Sequence, residues 1–422
     1  MMALRIPQYP KIILTVLFFA AISFLPQTAH DRYGLYIRLF LGCFVFFLAC
    51  RREYRAQLFS PQDWPLWLFL ASFAAGIINA ADRSLSLRTY FPILITFAST
   101  FYIGKSVFLL PQDRVVMKRL ICICATVVAI IGLLELYYRK NIIYEKFLEN
   151  YFYARYISGQ PRPMSTQGNP AVLGTYLLCC LPFCLDLAKN RKLYLKILGA
   201  FAFLICLAVM ILTFSRGVFV AFAAMGIFYL WQSGRKKLLL VFFGMLVVFI
   251  AFNSFQKAGN LKRFSFHGLI SGSGDSMFSD YRLNRINMSL KMLRDYPLCG
   301  IGLNHFRLRF KEYCLPNEKK ILYEFMIPDN MYLTFLAETG IIGLSGFLVF
   351  IITIFVRGLK KYNKLGESEE KASLLVALAA LVGILVNMGA YELFYWADPL
   401  MLFSLLCGSL SAKTFLLKGA TA

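Results

Sequence analysis

Residues 326–356 read MIPDNMYLTFLAETGIIGLSGFLVFIITIFV. The second half is among the most apolar runs in the chain, and Asp329, Asn330 and Glu338 stand at its beginning. About 20 mainly apolar residues suffice for a helix to cross a bilayer, so the stretch reads as a span with a polar group at one mouth. At a rise of about 1.5 Å per residue, Glu338 lies roughly two turns deeper than Asp329. A carboxylate at that depth faces protein or water and not lipid.

The rest of the chain has the same character. Of its 422 residues 59% are hydrophobic and 16% charged, with a mean hydropathy of +0.63, against roughly half apolar and a quarter charged in soluble domains. Apolar runs recur at about 10–26, 33–50, 64–80, 90–109, 118–138, 170–188, 195–214, 217–232, 237–253, 330–356, 371–391 and 395–412. The expectation is an all-α polytopic membrane protein of about twelve transmembrane helices, a single integral domain over 1–422. A large loop, 254–329, is inserted between the ninth and tenth spans. The first run follows a basic start and reads as a retained helix, because another span comes directly after it.

Lys and Arg number 45 against 22 Asp and Glu, a net charge of +23. Many of these cations fall in alternate short connections: RREYR from Arg51, the group Arg114, Lys118 and Arg119, KNRKLYLK from Lys189, GRKK from Gly234 and RGLKKYNK from Arg357. They read as topology signals that place this side, with both termini, in the cytoplasm. That role accounts for the charge without nucleic acid as a partner. Three histidines and no CxxC leave a structural metal site unsupported. Nine of the 11 cysteines lie in apolar runs as small hydrophobes. Cys299 and Cys314, in the long loop, read as two free thiols in preference to a disulfide.

The long loop faces the opposite side and is itself basic. Within it, SDYRLNRINMSLKMLRDYPLCGIG (279–302) has helical spacing, with Ile286, Leu290 and Leu293 as an apolar stripe, Arg282 and Arg285 near the start, and Pro297 with Gly300 closing it. Two readings stand: a helix resting on the membrane with its cations outward, or a clamp whose guanidinium forks grip phosphate oxygens. Arg216, in TFSRGVF at the junction of two spans, either snorkels to the interface or faces a polar cavity. Glu392, in MGAYELFYWADP (388–399), ends the eleventh span beside Tyr391, Tyr395 and Trp396, which read as interface anchors. Such arginines suit the neutralisation of a pyrophosphate leaving group. A carboxylate suits removal of a proton from an attacking hydroxyl. The outer loops hold no DxD pair, so arginine would act there with no metal or other cofactor.

TFSRGVFVAF (213–222), YRLNRINMSLKMLRDYPLCGIGLNHF (281–306) and DNMYLTFLAETGIIGL (329–344), in that order, resemble the O-antigen ligase and polymerase superfamily of bacterial membrane glycosyltransferases. MSTQGNPAVLGTYLL (164–178), which contains Asn169, is similar to the family's segment at the sixth span. The resemblance implies a GT-C-like helical fold in the bacterial inner membrane and a glycan donor carried on undecaprenyl pyrophosphate. The donor would be used at the periplasmic face without metal or nucleotide sugar. The acceptor would be a sugar of lipid A-core in a ligase or another lipid-linked repeat unit in a polymerase, the latter with a chain-length regulator protein as a candidate partner.

Carried over by position, Arg216 and Arg282 match arginines that the family uses on the pyrophosphate. Arg285, Asn330, Glu338, Glu392 and Asn169 are the substrate-binding candidates. Asp329 stands where ligases usually have the histidine assigned to activating the acceptor, and an aspartate can also serve as a base. That departure tips the reading slightly towards polymerisation, with ligation close behind. A flippase or transporter of the same lipid-linked glycan is the rival, for which matched halves and broken helices would be the marks. No internal repeat is visible, and the polar features gather at one face.

Overall fold

The computed structural model describes residues 9–25, 27–51, 54–55, 58–109, 111–141, 156–157, 160–255, 276–314 and 327–412. Twelve of its helices stand at the twelve apolar runs. In chain order the first nine are α1 (Tyr9–Phe24), α2 (Gln27–Cys50), α3 (Trp64–Phe73), α4 (Arg83–Leu109), α5 (Pro111–Tyr138), α6 (Pro170–Leu187), α7 (Leu193–Leu212), α8 (Arg216–Gln232) and α9 (Lys236–Phe255). The long loop contributes α10 (Ser276–Asp295) and α11 (Phe306–Tyr313), and α12 (Met331–Lys364), α13 (Glu369–Met388) and α14 (Ala397–Ser411) complete the chain. Among the described residues seven helices are long and apolar enough to cross a membrane: α2 over Arg32–Cys50, α4, α5, α6, α7, α12 and α13. Shorter apolar stretches cover Lys11–Phe24, α8 and α14. The protein is a multi-pass helical membrane protein. Its one departure from all-α among the described residues is a two-residue antiparallel ladder, Tyr156–Ile157 with Gln160–Pro161.

The helix starts follow from capping chemistry. Asn169 accepts from the Ala171 amide ahead of α6, with Pro170 at the first helical position. Asn330 accepts from the amides of Tyr332 and Leu333 at the start of α12. Ser368 caps α13, whose first turn carries Glu369 and Glu370, favourable at a helix N-terminus.

Packing in a bilayer rests on close fit and internal polar contacts, since lipid is as apolar as leucine. α4 and α14 meet backbone to backbone. A Cβ on Gly104 would lie 2.2 Å from the Leu405 carbonyl oxygen, and one on Gly408 would lie 1.9 Å from that of Phe101. Beside this seam Phe69, Phe97, Phe335, Phe347, Phe350, Phe394 and Phe403 form a buried aromatic cluster, with Phe335 and Phe347 centroids 4.8 Å apart. The cluster joins α3, α4, α12 and α14, and so fixes Thr334 and Glu392, each within two residues of one of its rings.

One end of the bundle is locked by buried ion pairs. Lys105 lies 2.7 Å from Asp63, Lys11 2.5 Å from Asp113, and Lys118 2.6 Å from Asp186. Here the structure corrects a reading from sequence. α5 begins at Pro111 and not near 118, so Arg114 and Lys118 lie within the helix and are buried rather than solvated. Arg114 donates to the Phe108 carbonyl at 2.9 Å.

Candidate functional site

The opposite end of the bundle gathers the starts of α4, α8, α12 and α14 and the finish of α13. Its framework is a break in α12. Gly340 has φ +64 and ψ −162 inside an otherwise helical segment, a conformation natural only to glycine. The loop after α10 fills the break. The amides of Ile301 and Gly302 donate to the carbonyls of Ala337 and Glu338 at 2.9 and 3.2 Å. The amides of Ile341 and Ile342 donate to the carbonyls of Pro297 and Leu298 at 2.9 and 3.2 Å. Every group released by the break in this exchange is thus satisfied by the loop, as buried backbone requires. The Leu303 amide extends the contact to the Gly76 carbonyl at 3.1 Å, and the Asp82 amide donates to His305 Nε2 at 2.9 Å.

Glu338 sits at the break, fully enclosed. Its carboxylate accepts from the amides of Asn304 and Phe306 at 2.9 and 3.1 Å and from the Tyr395 hydroxyl. It therefore clasps the loop and α14 to α12. Tyr395, expected as an interface anchor, instead turns its hydroxyl inward.

About one turn towards the helix start, Thr334 donates to Glu392 Oε1 at 3.2 Å, and both residues are buried. Glu392 lies in the connection between α13 and α14. Burial pushes its carboxyl up to about 8, helped by the nearby charges of Glu338 and Asp329 and opposed by that of Arg307 and by the Thr334 hydrogen bond. Asp329, Glu338, Glu392 and Arg307 thus share one electrostatic neighbourhood.

At the lip, Asp329 has φ +51, a left-handed conformation that aspartate tolerates better than most residues. Its carboxylate pairs with the Arg285 guanidinium, which is 3% exposed as a residue, while a quarter of the Asp329 side chain (26%) remains accessible. Asn330 holds the same corner. Beyond its cap it donates from Nδ2 to the Gly389 carbonyl at 2.9 Å. The finish of α13 in turn abuts the start of α8, where a Cβ on Gly217 would lie 2.4 Å from that of Ala390. Arg216, first residue of α8 and half-buried, thereby stands next to the corner.

The structure gives α10 a second face. From sequence, Ile286, Leu290 and Leu293 form the apolar stripe, either resting on the membrane with the cations outward or backing a guanidinium clamp. Ile286 and Leu290 are exposed, and Arg285, Met288, Ser289 and Met292 form the buried face. The two methionines pack with Ile301, Phe306, Phe310 and Ala337. Both stripes have helical spacing, and the loop folding back over α10 decides between them. Arg282 is one turn before Arg285 on the same helix, but its side chain lies outside the described residues. Asn169 is used by its cap and reaches this end only indirectly, through α6: Thr175 accepts from Asn387 at 2.5 Å. Arg307, which sequence reading placed only among the loop's many cations, joins the acidic group from the first turn of α11. Cys299 and Cys314 stand as free thiols, Cys314 buried against the α10 methionines. Among the described residues no cluster of three or more His, Cys, Asp or Glu side chains is placed to hold a metal ion.

The described residues thus form a helical membrane bundle with an arginine–carboxylate cluster beneath a folded-back loop. Residues 201–348 match the family model described as O-antigen ligase. Over this segment, from α7 into α12, the chain is similar to the O-antigen ligase family, in agreement with the motifs read from its sequence. The segment includes Arg216, Arg282, Arg285, Asp329 and Glu338, and leaves Asn169 and Glu392 outside. No curated protein matches the chain.

Proposed function

We propose that the protein transfers a glycan from an undecaprenyl-pyrophosphate carrier to an acceptor sugar hydroxyl at the periplasmic face of the bacterial inner membrane. The observation that carries the reading is the Arg285–Asp329 pair at the start of α12, with a carboxylate still open to the surface and a guanidinium buried behind it. The acceptor oxygen bonds to the anomeric carbon as the bond to the pyrophosphate oxygen breaks. The electron pair leaves with the diphosphate, and Asp329 takes the hydroxyl proton. Arg216 and Arg282 bind the diphosphate oxygens, with Arg285 orienting Asp329 and Asn330 fixing its corner. Charge on the leaving group is met by guanidinium and not by metal. Glu392, holding its proton at neutral pH, adds no repulsion and remains a hydrogen-bond donor. Glu338 positions the loop, and Asn169 sets the start of α6 within the same end of the bundle.

Twelve crossings with both termini cytoplasmic fit the contacts described above. The helix ends alternate between the ion-paired end and the Asp329 end. The insert 254–329 then belongs wholly to the periplasmic side. The same elements support a polymerase joining lipid-linked repeat units over a ligase acting on lipid A-core, because Asp329 replaces the ligase histidine. A polymerase would work with a chain-length regulator protein. The break in α12 is the one feature a flippase would share, but its backbone groups are taken by Pro297–Gly302 and are not offered to a passing substrate.

The deciding experiment incubates purified protein with undecaprenyl-pyrophosphate-linked glycan, with and without lipid A-core. Elongated glycan and released undecaprenyl pyrophosphate are expected without lipid A-core. A product made only on lipid A-core would favour ligation, and movement of intact donor across vesicles with no release would overturn the transferase.

A further inference from the structure

A cavity of about 370 Å3 lies between α2, α4 and α14, with Arg38, Arg88, His30 and Tyr395 in its wall. Arg38 is half-buried in the middle of α2. Its guanidinium folds back over Gly34, where an added Cβ would meet Nη1 at 2.8 Å. Arg88 reaches the cavity from the second turn of α4.

Five other deep cations of the bundle, Lys11, Lys105, Lys118, Lys361 and Arg285, are ion-paired, and Arg114 donates to the Phe108 carbonyl. Among the described residues no hydrogen bond or ion pair engages Arg38 or Arg88. Asp398, at the start of α14, stands 3.2 Å from His30 Nε2. The Arg38 guanidinium lies within the α2 span and calls for an anion, and among the described residues no carboxylate pairs with it.

The remaining wall is apolar, with Ile37, Ile93, Leu400 and Met401. On the outer surfaces of the two flanking helices Tyr36, Leu39, Phe91 and Ile95 are exposed, so the cavity borders on lipid. Cationic depth, apolar walls and lateral access describe the seat of an amphiphile. We propose that the cavity binds the phosphate headgroup of a membrane lipid that enters between α2 and α4, at a site separate from the Arg285–Asp329 cluster. Tyr395 lines the cavity and also donates to Glu338. That the seat serves the second lipid-borne substrate of the transfer rests on the function proposed above; the binding itself does not.

The test uses native mass spectrometry of the intact protein with phosphatidic acid, with diacylglycerol of the same chains, and with inorganic phosphate as competitor. One phosphatidic acid is expected to be retained, with affinity about tenfold lower in Arg38→Gln and again in Arg88→Gln, the loss of one charge-assisted contact each. Diacylglycerol should not bind, and inorganic phosphate should not displace the lipid. Arg88 is exposed, so Arg88→Gln poses no folding question and must show the drop by itself. Equal retention in wild type and variants, equal binding of diacylglycerol, or displacement by inorganic phosphate would each overturn the proposal. Binding is read without turnover, so a failed transfer assay leaves this result standing, and Asp329→Asn should retain the lipid.

Discussion

Arg285 and Asp329, 44 residues apart in sequence, are joined as an ion pair between the loop helix α10 and the cap of α12. The pair is asymmetric: the arginine is enclosed and the aspartate reaches the surface. Removing the aspartate leaves a buried cation, and removing the arginine leaves a carboxylate without its orienting partner. Asp329→Asn should lower transfer about 100-fold or more, as loss of a general base does, with membrane insertion retained. Arg285→Ala should lower it similarly. The double variant should be no worse than either single one, because neighbouring groups acting as a unit are not additive. Initial rates of lipid pyrophosphate release for the four proteins provide the check, and full additivity would separate the two residues.

Glu338 behaves differently because its oxygens are already engaged by Asn304, Phe306 and Tyr395. Glu338→Ala strips two buried amides of their acceptor and should cost about 2–4 kcal/mol of stability. Glu338→Gln keeps one acceptor and should fall between. Thermal unfolding in detergent reads both, and a Gln variant with wild-type stability but no transfer would mark Glu338 as chemical instead of positional.

Glu392 predicts a pH dependence. Its carboxyl is raised from 4.5 to about 8 by burial first and then by Glu338 and Asp329. Between those values the folded state holds a proton that the unfolded chain has lost, so stability falls as pH rises through this window and levels off above it. Glu392→Gln should flatten that slope. Deprotonation also adds a negative charge beside Asp329, so transfer should decline above about pH 8 in wild type and decline less in the variant. Paired pH profiles of unfolding and of rate test both limbs.

Arg216→Lys should impair transfer about tenfold or more even though charge is kept, since an ammonium cannot reproduce a two-pronged grip on phosphate oxygens. A shift confined to the donor KM would place Arg216 on the bound donor alone. Unchanged kinetics would remove it from the site.

Much of this was legible in the sequence because hydrophobic length and capping are local. Asn330, Asn169 and Ser368 announce their helices, and every apolar run became a helix. From sequence Asp329 groups with Arg216 and Arg282, whereas the partner the structure sets beside it is Arg285, a substrate-binding candidate in the sequence. What could not be read locally was set by tertiary packing. Ile286/Leu290 and Met288/Met292 are equally helical stripes, and only the return of residues 297–306 over α10 selects the second. Lys118 looks like any topology cation until Asp186 is found beside it at 2.6 Å. Tyr395 carries no sign in its own segment that its hydroxyl meets a glutamate 57 residues earlier.

The break at Gly340 ties these features together, so it offers a test of the whole arrangement. A Cβ there would lie 2.4 Å from the Leu298 carbonyl oxygen and 2.7 Å from the Gly300 amide nitrogen, both backbone atoms that cannot swing aside. The φ of +64 adds a conformational cost of about 1 kcal/mol for any residue with a Cβ. Gly340→Ala should therefore push Pro297–Gly302 off α12 and cost about 3 kcal/mol or more, within the range of backbone-strain variants. Displacing this loop also disturbs α10, and with it Arg285, so transfer should fall although no proposed catalytic side chain is altered. Gly366→Ala is the control: no atom lies within 4 Å of its added Cβ, and it should be near neutral. Limited proteolysis of the loop alongside unfolding and rate measurements follows both effects. If Gly340→Ala keeps the loop protected and the rate unchanged, the coupling of the α12 break to the Arg285–Asp329 pair fails.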